Sequence, residues 1–252
     1  VRAPAKINLH LSVGPLRPDG YHELRTVFHA VDLHDEVRAL PADTLELGIV
    51  GADSPSLPLD DRNLAWRAAA LLAERVGMPP AVRLELIKAI PVAAGLAGGS
   101  ADAAATLVAC DALWGARMSR ADLLELAAAL GADVAFSLTG GTALGTGRGE
   151  TLTPVLAVGG LYWVLAVSAG ELSTPAVYRE LDRLRAAGLA RAPQGAAPAD
   201  PARFDATEGE AAVLDALRAH DPAALGAALS NDLQDAALSL APHLRATLDA
   251  GL

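Results

Sequence analysis

The richest chemistry in this sequence lies in one run, Pro91-Val92-Ala93-Ala94-Gly95-Leu96-Ala97-Gly98-Gly99-Ser100-Ala101-Asp102. It follows an alternating strand pattern at 82–88 and leads into an Ala-rich helical stretch. A glycine-rich turn feeding a helix leaves backbone N–H groups free, and the dipole adds about half a positive charge there. Such a place suits an anion, most often a phosphate. Gly95, Gly98 and Gly99 let the backbone take positive φ and approach a ligand closely. The spacing is neither G-x-x-x-x-G-K-[ST] nor G-x-G-x-x-G, so a Walker A loop and a dinucleotide-binding turn are both unsupported. On the glycines alone, a flexible turn before a core helix is an equal alternative.

Other candidates are weaker when read singly. Lys6 and Asn8 share the polar face of an alternating strand with His10 and Ser12, where a lysine is ordinarily a solvated edge residue. Tyr21 and His22 follow a tight turn, Pro18-Asp19-Gly20, which presents side chains freely. Asp133 follows Gly131, a natural helix stop, and would ordinarily be an N-cap. Lys88 reads equally well as a strand-end charge, and Thr174 as a cap before Pro175. Asp102 favours the positive end of its helix and needs no further role. No group of Asp, Glu, His or Cys has metal-ligand spacing, and Arg148 and Glu150 brace one another in a turn.

The elements that must position these residues can be traced along the chain. A strand at 2–14 buries Ile7, Leu9, Leu11 and Val13; strands at 24–33 and 44–50 follow. A helix starts near Asn63, and another begins at Ser119, where Ser119 and Asp122 resemble a capping box. Residues 140–150 read as a turn between strands and 161–168 as a β-type run. A helix carries Val177, Leu181 and Leu184; 186–202 is an Ala/Pro/Gly-rich loop, and short helices follow near 210–219, 222–229 and 242–250. This order predicts a mixed α/β lobe over 1–153 and a second lobe over 154–252.

The chain's 252 residues can bury a sizeable core, and 52% hydrophobic with 20% charged residues describes a globular protein. A net charge of −10 gives no basic footprint for nucleic acid or an anionic membrane. The most apolar run, 155–169, is too short for a membrane span. Cys110, the single cysteine, falls on an apolar helix face with Ala103, Leu107 and Trp114 and reads as core. No leader is visible at the start, and a cytoplasmic location fits.

Taken together, Ala3-Pro4-Ala5-Lys6-Ile7-Asn8-Leu9 and Pro18-Asp19-Gly20-Tyr21-His22-Glu23-Leu24 resemble the opening of the 4-diphosphocytidyl-2-C-methyl-D-erythritol kinases. These belong with galactokinase, homoserine, mevalonate and phosphomevalonate kinases. Residues 91–102 resemble the phosphate-binding motif of that superfamily. Gly131-Ala132-Asp133-Val134, Gly140-Gly141-Thr142-Ala143, Gly147-Arg148-Gly149-Glu150 and Asn231-Asp232-Leu233 match further segments. Ala97 and Ala101 depart from it, standing where Gly and a second Ser are common. The family continues into a third glycine-rich motif of Ser-Gly-Ser-Gly-Pro-Thr type, which is not reached by Leu252.

The resemblance implies an α/β (α+β), two-lobed small-molecule kinase fold. Its N-terminal lobe would be ribosomal-S5-like, and its C-terminal lobe ferredoxin-like and missing its tail. It implies ATP, with Mg²⁺ delivered on the nucleotide, and a substrate carrying a cytidine diphosphate group. Asp133 would take the proton of the substrate's 2-hydroxyl, and Lys6 would stabilise that carboxylate and the phosphoryl charge. Asn8, Tyr21, His22 and Thr174 would bind substrate. Asn63, Leu64, Lys88, Pro91, Gly95, Leu96, Gly98, Gly99 and Ser100 would bind ATP. A monomer or homodimer is expected, with no nucleic-acid or membrane partner. A kinase of another small alcohol, such as homoserine or mevalonate, and a non-catalytic nucleotide binder are the alternatives.

Overall fold

Two long strands organise the chain, β1 (Arg2–Leu16) and β2 (His22–Pro41). They lie side by side and are joined through the turn at Gly20, whose φ of 84° requires a left-handed residue. The computed structural model describes residues 1–51, 57–168, 172–190 and 204–251. Within these the chain forms two compact units, Val1–Ile7 with Ala30–Gly141, and Asn8–His29 with Thr142–Leu252. β1 and β2 each supply residues to both units.

In the first unit, the second half of β2 pairs antiparallel with β4 (Val82–Ile87), from Glu36↔Ile87 to Pro41↔Val82. A parallel neighbour, β3 (Glu46–Val50), lies on the other side of β4. Four helices pack together: α1 (Leu64–Val76), α2 (Gly98–Trp114), α3 (Arg120–Leu130) and α4 (Ala132–Thr139). Residues 101–107 of α2 are all buried, so its small alanines let neighbouring helices approach on several sides. Phe136, Leu72, Leu84, Leu107 and Leu126 are among the fully buried side chains. Ser119 caps α3 by accepting from Asp122 N, as its spacing predicts.

In the second unit, β1 pairs in parallel with the short β7 (Ser230–Asn231). The first half of β2 pairs with β5 (Thr142–Gly147), which continues into β6 (Thr151–Pro154). Helices α5 (Thr174–Ala186), α6 (Glu208–Ala219), α7 (Pro222–Ala228), α8 (Gln234–Leu240) and α9 (Leu244–Gly251) complete it. Leu11 and Val13 of β1 pack with Val177, Leu181 and Leu184 of α5 and Ala236 of α8.

Several expectations need correction. Residues 140–150 hold a strand as well as a turn. Gly145 lies under the ring of Phe28, where a Cβ would come within 2.8 Å, so this glycine marks close approach rather than a bend. Residues 161–168 pair with no strand among the described residues; Tyr162 and Val164 are fully or almost fully exposed, and an apolar pattern without a partner makes no ladder. Gly131 ends α3 but also begins α4. The polar face of β1 is not solvated: Lys6, His10 and Ser12 are buried among polar partners. The expected loop at 186–202 lies largely outside the described residues.

Candidate active site

In the first unit the glycine-rich run borders a cavity of about 350 Å³. Its lining includes Asn63, Leu64, Lys88, Pro91, Gly95, Leu96, Gly98, Gly99 and Ser100, the nine residues expected beside ATP. The loop is shaped by left-handed residues, with φ of 55° at Ala93, 73° at Gly95 and 60° at Ala97. Ala97 is the N-cap of α2 and offers the first-turn N–H groups no side-chain acceptor. Those donors and the helix dipole are suited to an anion. Gly98 is bare because a Cβ there would lie 3.2 Å from Ile90 Cγ2 and 3.3 Å from Lys88 Nζ. Asn63 is fixed beside the cavity by capping α1, its Oδ1 accepting from Ala65 N at 2.9 Å.

Lys88 is not an open strand-end charge. Its ammonium is buried between Asp35 of β2 and Asp102 of α2, with Asp102 Oδ2 at 2.5 Å. Asp35 turns its other oxygen to the loop backbone, accepting from Ala89 N at 2.7 Å and Ile90 N at 2.9 Å. Asp102 is the fifth residue of α2, beyond the first turn, so its role is the ion pair rather than the dipole. Burial pushes its carboxyl up to about 7, against the pull of Lys88. Asp35 was missed in the sequence, where a lone acid in a strand carries no signal.

Lys6 is tied to the loop through its backbone, its N–H donating to Leu96 O at 3.1 Å. Its ammonium lies 3.6 Å from Asp133 Oδ2. The Lys6 side chain is 10% exposed and that of Asp133 is 38% exposed, so the carboxylate is the more open member of the pair. Gly131 occupies the N-cap position of α4, and Asp133 belongs to the helix's first turn. The capping explanation for Asp133 therefore does not hold; the dipole still favours its negative charge.

The remaining four candidates belong to the second unit. Asn8 follows Lys6 by two positions along β1, and its amide donates to Thr26 Oγ1 at 2.7 Å. Tyr21 is 56% exposed, with the Arg148 guanidinium 5.1 Å from its ring centroid. Arg148 also approaches Glu150 to 3.6 Å, as the turn suggests. His22 is buried rather than freely presented: Nε2 lies 2.9 Å from Asp182 Oδ1, and the ring stacks on Tyr178 at 5.2 Å. Tyr178 and Asp182 were not singled out from the sequence; their i,i+4 spacing on α5 is the only hint. Thr174 is the exposed first residue of α5, and Ser173 holds the N-cap position that Thr174 was expected to fill.

Elsewhere, Cys110 is buried and its thiol is pushed up to about 12 by desolvation, which leaves it inert. His10 is enclosed by Ser230 Oγ at 2.8 Å, Ser12 Oγ at 3.0 Å and Thr207 Oγ1 at 3.1 Å, an internal network of the second unit. Among the described residues no group of three His, Cys, Asp or Glu could hold a metal ion. No helix among them is long and apolar enough to cross a membrane.

Residues 63–141, which contain the loop and Asp133, match the GHMP kinases N terminal domain. A 4-diphosphocytidyl-2-C-methyl-D-erythritol kinase of Salinispora arenicola (strain CNS-205) is 59% identical over all of this chain and 76% of its own length. One from Mycolicibacterium smegmatis (strain ATCC 700084 / mc(2)155) is 56% identical over the whole chain and 74% of its own. A crystal structure of 4-(cytidine 5'-diphospho)-2C-methyl-D-erythritol kinase superposes with a TM-score of 0.67 and 36% identity, covering 98% of this chain and 80% of that one. Homoserine kinase from Cytophaga hutchinsonii shares the fold at a TM-score of 0.65 and 21% identity, over 99% of this chain and 78% of that one. With relatives above half identity along its entire length, the chain belongs to the 4-diphosphocytidyl-2-C-methyl-D-erythritol kinase family.

Proposed function

We infer that the chain transfers the γ-phosphoryl group of ATP to the 2-hydroxyl of 4-diphosphocytidyl-2-C-methyl-D-erythritol, a step toward isoprenoid precursors. The observation that carries the reading is the Lys6–Asp133 pair held against the phosphate loop by the Lys6 backbone. Phosphoryl transfer asks for positioning, charge neutralisation and removal of one proton. The first-turn N–H groups of α2, which no N-cap side chain engages, hold the phosphates. Asp133 accepts the hydroxyl proton as the oxygen attacks, a contribution of about 10²–10⁴ in rate. Lys6, 3.6 Å from that carboxylate, opposes the charge that develops on the phosphoryl oxygens.

Mg²⁺ bound with the nucleotide would supply further charge neutralisation. A Mg²⁺ carried on phosphates needs few protein ligands, and among the described residues no group of three His, Cys, Asp or Glu could hold it by itself. On the substrate side, Tyr21 is exposed enough to stack on a cytosine, and Asn8 and Thr174 suit the erythritol hydroxyls. His22 would contribute from the position that Asp182 and Tyr178 impose on it.

The test is ADP release with Mg-ATP and each of three alcohols. Saturable turnover with 4-diphosphocytidyl-2-C-methyl-D-erythritol and none with homoserine or mevalonate is expected. Turnover with either of the latter would replace the substrate assignment, and none with any of the three would leave a nucleotide binder.

A further inference from the structure

Where β4 gives way to the phosphate loop, three ionisable groups are enclosed together. The side chains of Lys88, Asp35 and Asp102 are 5%, 0% and 4% exposed. Together they clamp both ends of the loop. Asp35 holds its first residues through the Ala89 and Ile90 N–H groups, and Lys88 joins Asp35 to Asp102 in the helix at its far end. A Cβ on Gly98 would lie 3.3 Å from the Lys88 ammonium, so the start of α2 and that ammonium are close neighbours.

The cluster is unbalanced in charge and in hydrogen bonding. Two carboxylates share one ammonium. Asp35 has a partner for each oxygen, whereas Asp102 Oδ1 is buried with none. A buried carboxylate oxygen without a donor is costly, and Asp102 is therefore the member that gains most from a proton. It also lines the cavity in which nucleotide phosphates would lie. The charged groups acting most strongly on it are Lys88, which directly follows β4, and Asp35 of β2; Arg62 is the other charged residue in the cavity lining.

We propose that Asp35, Lys88 and Asp102 form the strut that sets the phosphate loop, and that Asp102 takes up a proton from solvent when a polyphosphate enters the cavity. The inference rests on the reading that this cavity holds nucleotide phosphates. Incoming negative charge disfavours the anionic form of Asp102 further, and a proton on Oδ1 removes the excess charge while Oδ2 keeps its bond to Lys88. The position of the free carboxyl, near 7, leaves it largely ionised just above neutrality and so able to accept that proton.

Calorimetric titration of the chain with MgADP at pH 7.5, in buffers of differing ionisation enthalpy, counts the protons exchanged. Roughly half a proton or more should be taken up per nucleotide bound by the unsubstituted chain. The isosteric Asp102→Asn variant should bind MgADP with that uptake abolished. Equal uptake in both, or binding to the unsubstituted chain without uptake, overturns the inference and leaves the kinase reading standing. Failure of the unsubstituted chain to bind MgADP overturns both. Should the variant not fold, the unsubstituted chain suffices: its MgADP affinity should fall several-fold between pH 7 and 8.5, where the nucleotide itself does not titrate. A flat profile contradicts the proposal.

Discussion

The Lys6 ammonium and the Asp133 carboxylate lie 3.6 Å apart, one near the start of β1 and the other in the first turn of α4. Neither residue is explained by its own element. A strand lysine prefers solvent, yet Lys6 is buried, and Asp133 does not cap its helix. What the pair adjoins is the glycine-rich loop, since the Lys6 N–H is bonded to Leu96 O.

Tyr21 and the nucleotide site are separable in kinetics. Tyr21→Ala removes a stacking surface worth about 1–3 kcal/mol, so KM for the cytidyl substrate should rise roughly 5- to 150-fold. KM for ATP should stay within about twofold. Equal effects on both would remove Tyr21 from substrate binding.

Ala97 holds a left-handed conformation at φ 60°, which costs an alanine about 1 kcal/mol relative to glycine. Ala97→Gly should therefore raise the unfolding free energy by about that amount, read from urea denaturation midpoints. A loss of stability would mean that the Ala97 methyl is packed rather than strained.

Gly98→Ala acts in the opposite sense. Its Cβ would press on Ile90 and the Lys88 ammonium, both enclosed, so these groups or the loop must give by a few tenths of an ångström. KM for ATP should rise by about tenfold or more, with KM for the cytidyl substrate little changed. Unchanged ATP kinetics would show that the loop yields without cost.

Stability should depend on pH through Asp102. Its carboxyl is raised from the ordinary 3.8 to about 7 in the folded chain. A raised value means the contribution is fully present below about 4 and is lost as pH rises through 7. Among acid-to-neutral effects, this one runs opposite to ordinary acid denaturation. Asp102→Asn should remove the loss, so its Tm relative to the unsubstituted chain should increase from pH 5 to pH 8. A constant difference would place no titration at Asp102.

Much of the frame is legible in the residues themselves. The alternation of apolar and polar residues marks β1, Asn63 and Ser119 mark helix starts by their caps, and the glycines of 91–102 mark the loop that borders the cavity. Glycine is also where the reading fails. Gly145 serves a close approach to Phe28 and Gly131 joins two helices, and neither purpose can be told from a turn without the neighbouring elements. Asp35, Tyr178 and Asp182 gain meaning only from partners distant in sequence. The Lys6–Asp133 pairing was reached through family resemblance, since nothing in either local pattern requires it.

The decisive measurement is single-turnover formation of ADP from bound ATP and 4-diphosphocytidyl-2-C-methyl-D-erythritol, compared between the unsubstituted chain and Asp133→Asn, with MgADP affinity and Tm taken on the same samples. The rate should fall by about 10²–10⁴ while affinity stays within about twofold and folding is retained. A rate within tenfold of the unsubstituted chain, in a folded variant that binds nucleotide, would contradict the assignment of Asp133 as the base.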